Sequence, residues 1–451
     1  MRAVVITHLP RPDPVKDRHG VYRRLGLFVQ GIGRVCQDVE IVHIAREDHI
    51  STEDRISTEK SEHSRDRLNE YWATPVATRS IPADEAPRVL WQAAHAVFHV
   101  RYRGGYRPLL GAAQAQALRT ILADCPDVIF AHRLPAMAAV LRLGEGASPV
   151  FFDLDDVEHR VRLRAAGSAH SSFERWRRFA EVPALMRTER RALRMAARSF
   201  VCSDIDRDYL ASRGYDVERT RVIANSVPVP EHPVPLPQCK TILFLGNYGY
   251  PPNAEAAERL IASIWPKVRT RIQGARLIVA GDHPERIPSF GAAPSDVEFP
   301  GFVSELDALY TRTRLVCSPI GNGGGTRVKL IEAAGFGRPI VATPLAAEGL
   351  SLEHGRDILL FQADSDLAAA CVALLENDDE ARALGQSARR KAQSLYSFDQ
   401  TRDQIADELR NWFANKRGRS DGAAFMGFKP KAHRVETGSD CPSVPSSLEQ
   451  R

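Results

Sequence analysis

Between residues 318 and 344 the chain reads SPIGNGGGTRVKLIEAAGFGRPIVATP. An apolar strand ends at Ile320, four glycines fall within five residues (Gly321, Gly323, Gly324, Gly325), and a helical pattern begins near Thr326 and closes around Gly335 or Gly337. A strand, a glycine-rich turn and a helix start together present unpaired backbone N–H groups to an anion. Arg327 and Lys329 fall in the first helical turn, where the helix dipole disfavours positive charge unless an anion is held there. Types and spacing therefore point to a phosphate-binding turn. Glu332, one turn beyond Lys329, could accept hydrogen bonds from sugar hydroxyls. The competing reading is a flexible turn with solvated charges.

Three weaker constellations lie in the first half. His132 ends the strand-like PDVIFAH (126–132), placed either to work at a sheet edge or to cap the next helix. Asp153, Asp155 and Asp156 follow SPVFF; they could cap a helix and pair with Arg160 or Arg162, or Asp155 could serve as a general base. His19 and Gly20, with Arg23 and Arg24 behind them, follow the first apolar run, where the Arg pair could meet a phosphate. The segment from His159 to Arg198 carries eleven Arg against three acidic residues. It reads as a helix broken near Pro183, able to lie on anionic lipid or simply to face solvent.

Positioning such residues takes parallel sheets. Short apolar runs alternate with helical stretches at 241–246, 275–281, 296–303, 314–320, 338–344 and 357–362, with a helix expected from Asn253 (as N-cap) to Arg271. The first half repeats the pattern at 3–8, 38–45, 126–132, 148–154 and 198–203. Five prolines in PVPEHPVPLP (228–237) mark an extended connector. The expected organisation is α/β: two doubly wound Rossmann-like domains, 1–227 and 238–397, facing a central cleft, then a helix at 398–416 and a disordered tail at 417–451. Ligands in such folds bind at the carboxyl ends of the strands.

Composition excludes several classes. With 451 residues, 43% hydrophobic and 26% charged, the chain can bury two cores. A net charge of +5 from 61 basic and 56 acidic residues is too balanced for a dedicated nucleic-acid binder. The seven cysteines form no C-x-x-C pair and suit neither zinc nor a disulfide framework; Cys125, Cys202 and Cys317 read as core thiols. No apolar run reaches the ~18–20 residues that cross a bilayer, so a cytoplasmic location is expected.

The stretch from Lys240 to Phe398 closely resembles glycosyltransferase family four, enzymes of the GT-B fold. Supporting pieces are FLGNYGYPPNAEAAERLI (244–261), IVAGDHP (278–284), FPGFVSELDALY (299–310) and EAAGFGRPIVATPLAAEGL (332–350). The first half resembles the family through FFDLDDVEHR (151–160), SFVCSDIDRDYL (199–210) and RVIANSV (221–227). It is similar in particular to bacterial sugar transferases of exopolysaccharide and cell-surface glycan synthesis. The resemblance implies a nucleotide-diphosphate sugar as donor substrate, no cofactor, no metal, and a glycan or lipid-linked acceptor. It implies Glu332 on the donor ribose, Arg327 and Lys329 on the diphosphate with the 323–326 turn (Gly323, Gly324, Gly325, Thr326), Gly246, Gly281 and Val303 near the nucleotide, and a functional His132. It departs at Gly324, where many members carry a second Glu that contacts the transferred sugar. A non-catalytic nucleotide-sugar-binding partner and a nucleotide-sugar epimerase on the same fold remain as alternatives.

Overall fold

The computed structural model describes residues 1–13, 20–45, 69–82, 112–144, 146–167, 171–324 and 328–425. The first half alternates strands and helices: β1 (Arg2–Thr7), α1 (Gly20–Gly33), β2 (Asp38–Ala45), β3 (Ala77–Pro82), α2 (Ala112–Leu122), β4 (Val128–His132), α3 (Arg133–Leu143), β5 (Val150–Asp155), α4 (Glu158–Gly167), α5 (Ser172–Met195), β6 (Arg198–Val201), α6 (Asp204–Ser212) and β7 (Thr220–Val222). The strands form one parallel sheet in the order β3-β2-β1-β4-β5-β6-β7. The order reverses between β1 and β4, and the crevice at that reversal is where doubly wound sheets bind ligands.

The second half repeats the scheme with β8 (Thr241–Leu245), α7 (Pro251–Arg259), α8 (Trp265–Arg269), β9 (Arg276–Ala280), β10 (Val297–Gly301), α9 (Leu306–Thr311), β11 (Leu315–Ser318), α10 (Val328–Gly335), β12 (Ile340–Ala342) and β13 (Leu359–Leu360). This parallel sheet runs β10-β9-β8-β11-β12-β13 and reverses between β8 and β11, beside the glycine-rich turn. Two helices, α11 (Asp364–Glu376) and α12 (Asp378–Leu395), cover it, and α13 (Phe398–Phe425) follows. Both sheets are the two Rossmann-like layers the patterning implied. Each has its own apolar core, with Val4, Ile6 and Phe152 in one and Leu243, Ile278 and Val341 in the other. Residues 1–407 form one compact unit and 408–451 another.

The proline-rich segment between β7 and β8 takes no regular structure and is pinned by guanidinium groups. Arg338, fully buried, donates to the carbonyls of Val234 (3.0 Å) and Pro235 (2.9 Å). The Val227 N–H donates to the Tyr396 carbonyl (3.0 Å) and the Phe398 N–H to the Val227 carbonyl (3.1 Å), so the chain returns to the start of the linker after its second sheet.

Several expectations need correction. The helical region after His159 is not broken at Pro183, which lies inside α5. Its missing N–H costs one backbone bond, while Val182, Leu185, Ala192 and Leu193 bury around it. Ser171 caps α5 by accepting from the Glu174 N–H (3.1 Å). The helix expected from Asn253 is three pieces, α7, a π-helical turn Leu260–Ile264 and α8. Its N-cap is Tyr250, with prolines in the first turn, so Asn253 is inside the helix. The C-terminal helix continues past 416 to Phe425, and the remainder of the tail lies outside the described residues. Cys202 and Cys317 are buried, but Cys125 is exposed in a turn with φ +46°.

Candidate active site

The loops after β8, β9 and β10 lie side by side and bond to one another. Gly246 N–H donates to the Ala280 carbonyl (3.0 Å), Gly281 N–H to the Gly301 carbonyl (2.7 Å) and Tyr248 N–H to the Asp282 carbonyl (2.9 Å). Gly281 has φ +134°, and a Cβ there would collide with the Gly246 carbonyl. Only glycine lets the two loops approach this closely. Over them opens a cleft of about 830 Å³. Its lining brings together Gly246, Gly281, Val303, Lys329 and Glu332 from the second sheet with Gly20 and Arg23 from the first.

Lys329 stands beneath the Gly246 loop. Its Nζ donates to Asn253 Oδ1 (2.8 Å) and lies 4.6 Å from the centre of the Phe244 ring. A Cβ on Gly246 would come within 3.0 Å of that Nζ, so a glycine there keeps the ammonium accessible. Glu332 is 6% exposed, and its carboxylate pairs with Arg23 from α1 across the cleft. Gly325, Thr326 and Arg327 lie outside the described residues. Gly323, with φ +98°, turns the chain before them.

Gly324 does not open into the same cleft. A side chain there would collide with Val161 of α4, which packs on the turn. The same helix is tied to the loop after β12: Arg160 and Arg164 both donate to Glu348, Arg164 Nη2 at 2.7 Å.

At the reversal point of the first sheet a buried polar cluster gathers. Arg24 grips Asp153 with two bonds (2.8 and 2.6 Å) and donates to the Ile223 carbonyl (2.9 Å) and Asn225 (3.2 Å). Burial opposes its charge, but the neighbouring Asp153 and Asp155 hold it ionised. Arg24 is therefore not available to a phosphate, contrary to expectation: adjacent helix positions point about 100° apart, so Arg23 faces the cleft and Arg24 the sheet. Asp153 does not pair with Arg160 or Arg162. Asp155, 6% exposed, is held by Arg133 (3.3 Å), Arg24 (3.4 Å) and the Cys202 thiol, which donates at 3.1 Å. Partial burial, then the charge of Asp155, push the Asp156 carboxyl up to about 7. Arg133 and Asp155, at the ends of neighbouring strands, both hold left-handed backbone (φ +67° and +58°), a strained geometry for side-chain-bearing residues.

His132 is fully buried at the end of β4. Its ring does not cap α3. Nδ1 is 3.1 Å from the Thr7 hydroxyl, while Nε2 has no hydrogen-bond partner among the described residues and stands 3.9 Å from Asp153. Sequence reasoning missed its companion His8, one residue past β1, whose ring stacks at 6.4 Å. The signal was available, since β1 and β4 end at the same reversal point. Burial, then Arg133, push the His8 ring down to about 4, and burial, then His8, holds His132 well below the usual imidazole range. Both are neutral. No group of three or more His, Cys, Asp or Glu is gathered as a metal site among the described residues.

Two family descriptions match this chain: "Glycosyl transferases group 1" over residues 239–377 and "Glycosyl transferase 4-like domain" over 70–226. Together they span about two thirds of the sequence. The chain belongs to the group 1 glycosyltransferases. No curated protein matches its sequence. Among solved structures the glycosyltransferase is similar to a sucrose-phosphate synthase from Thermosynechococcus elongatus (17% identity, TM-score 0.65, 92% of this chain and 99% of that one). It is also similar to HepE of Anabaena in complex with UDP and glucose (15%, TM-score 0.58, 91% and 99%) and to TarM, from S. aureus (11%, TM-score 0.62, 91% and 98%). The fold is that of GT-B enzymes, and the chain is a transferase.

Proposed function

We propose that this glycosyltransferase moves a sugar from a nucleotide-diphosphate donor to a glycan or lipid-linked acceptor of cell-surface polysaccharide synthesis, without a metal ion. The observation that carries the reading is the convergence of Lys329, Glu332, Gly246, Gly281 and Val303 on one cleft at the reversal point of the second sheet. In this reading the diphosphate sits at the glycine-rich stretch 321–327. As the glycosidic bond breaks, negative charge grows on the departing phosphate, and Lys329, Arg327 and backbone N–H groups stabilise it. Glu332 accepts from the ribose hydroxyls once Arg23 releases it. The acceptor approaches from the first sheet, where neutral His132 and His8 mark the edge. Asp155, held between two guanidinium groups, acts as a charge partner that fixes Arg133 and Arg24, not as the proton acceptor.

HepE has been solved with UDP and with UDP-glucose, so uridine nucleotides are the first probes. The test is thermal melting of the full chain with UDP, UDP-glucose, GDP and ADP in EDTA, followed by transfer from whichever donor raises Tm. A ligand at 100 times its Kd stabilises by about 2.7 kcal/mol. No shift with any nucleotide would overturn the donor site, and turnover that vanishes in EDTA and returns with manganese would overturn the metal-free chemistry.

A further inference from the structure

The long helix α5 (Ser172–Met195) carries on its outer side the largest exposed aromatic group of the described residues: Phe173 (62% exposed), Trp176 (46%) and Phe179 (47%). The Phe173 and Trp176 rings touch, 6.2 Å between centres. At about 100° per residue these three share one face with Pro183, Arg187, Arg190, Arg191 and Arg194, all exposed. The opposite face buries Val182, Leu185, Ala192 and Leu193.

No acidic residue lies on the outer face. The helix has three, and each is directed elsewhere: Glu174 pairs with Arg178, Glu181 with Arg162 (3.0 Å) and Glu189, buried, with His159. The face is thus aromatic over its first ~9 Å and arginine-bearing over its last turns, about 12 Å further on. Aromatic rings settle at the boundary between headgroups and acyl chains, and guanidinium groups bind lipid phosphates. A helix lying flat on a bilayer would use both ends at once. None of the described helices is long and apolar enough to cross a membrane, so contact of this kind stays at the surface.

We infer that the outer face of α5 is a docking surface for an anionic lipid bilayer, with Phe173, Trp176 and Phe179 inserted at the interface and Arg187, Arg191 and Arg194 against the phosphates. None of the three acidic residues of α5 lies on this face, which favours an anionic partner, and the protruding rings favour a soft one that can admit them.

The experiment is co-sedimentation of the full chain with vesicles of phosphatidylglycerol and phosphatidylcholine (3:7) and of phosphatidylcholine alone. The wild type should bind the anionic vesicles, more weakly as salt rises. Replacing all three aromatics (F173S, W176S, F179S) should weaken binding at least tenfold. An arginine near an anionic surface is worth about fivefold, so R187Q/R191Q/R194Q should weaken it about a hundredfold. Both variants should melt like the wild type, and the arginine set alone keeps the test decisive if the aromatic set fails to fold. Wild type that ignores anionic vesicles, or arginine variants that bind as it does, would overturn the inference. So would a dimer in solution that the aromatic substitutions dissociate, which would make this face a contact between copies.

Discussion

Lys329→Met is the sharpest probe of the donor site. Methionine keeps an unbranched apolar stem to pack near the Phe244 ring and removes only the ammonium, so the fold should persist. Lost with the charge are the bond to Asn253 (2.8 Å) and the contact with Phe244. A unit charge about 4 Å from another, at an effective dielectric near 20, is worth about 4 kcal/mol. If the leaving phosphate gains two thirds of a charge or more at the transition state, the rate should fall on the order of 10²–10³-fold. Affinity for the nucleotide should suffer less, because the ground-state diphosphate is shared with Arg327 and backbone donors. Glu332→Gln supplies the contrast. It leaves the phosphate side intact and turns a charged acceptor into an amide, so nucleotide binding should weaken by about 1.5–3 kcal/mol with a smaller change in rate. Single-turnover rates and nucleotide titrations on both variants separate the effects. Wild-type turnover in Lys329→Met would remove Lys329 from the chemistry and with it the proposed assignment of the cleft.

Two further outcomes follow from packing and protonation. Gly324→Glu should not restore a family-like site: its side chain must displace Val161, so Tm should drop by several degrees, and Val161→Ala in the same chain should recover part of it, as melting curves would tell. The neutral His8 and His132 have depressed pKa values, so the unfolded chain binds their protons first as pH falls. The contribution of His8 is complete above about pH 6.5 and is lost toward pH 4, and that of His132, also depressed, is likewise lost on the acid side. Between pH 8 and 5, His8 alone should cost up to about 2 kcal/mol, and His8→Phe should flatten that slope in urea melts; an unchanged slope refutes the buried neutral pair.

The sheets were legible because buried parallel strands are continuous apolar runs, and β2 (Asp38–Ala45) has the expected bounds. What escaped was polar or short. β3 (ATRSIP) pairs with the rest of the sheet on one side only, so it carries Thr, Arg and Ser where an inner strand carries Val, and β7 has three residues. That Gly246, Gly281, Val303, Lys329 and Glu332 share one cleft was legible because glycine, cation and carboxylate types declare themselves locally. The first-sheet cluster was not, because its logic is in pairings of distant residues: Arg24 with Asp153, 129 positions apart, and Arg160 and Arg164 with Glu348. A run of Arg looks the same in sequence whether it faces water, as Arg187 does, or crosses to the other sheet, as Arg160 does.

The bridge between Arg23 and Glu332 has a kinetic consequence. Under the proposed assignment, a ribose reaching Glu332 must first take the carboxylate from the Arg23 guanidinium of the first half, so donor entry would be a substitution and its net affinity a difference between two sets of contacts. Arg23 lines the same cleft, so under the proposed assignment its guanidinium, once displaced, would remain within reach of the donor. Because the two groups are in direct contact and largely buried, salt screens this clasp little, so turnover should vary weakly with ionic strength if opening the bridge limits the cycle, and more steeply if encounter with the anionic nucleotide does.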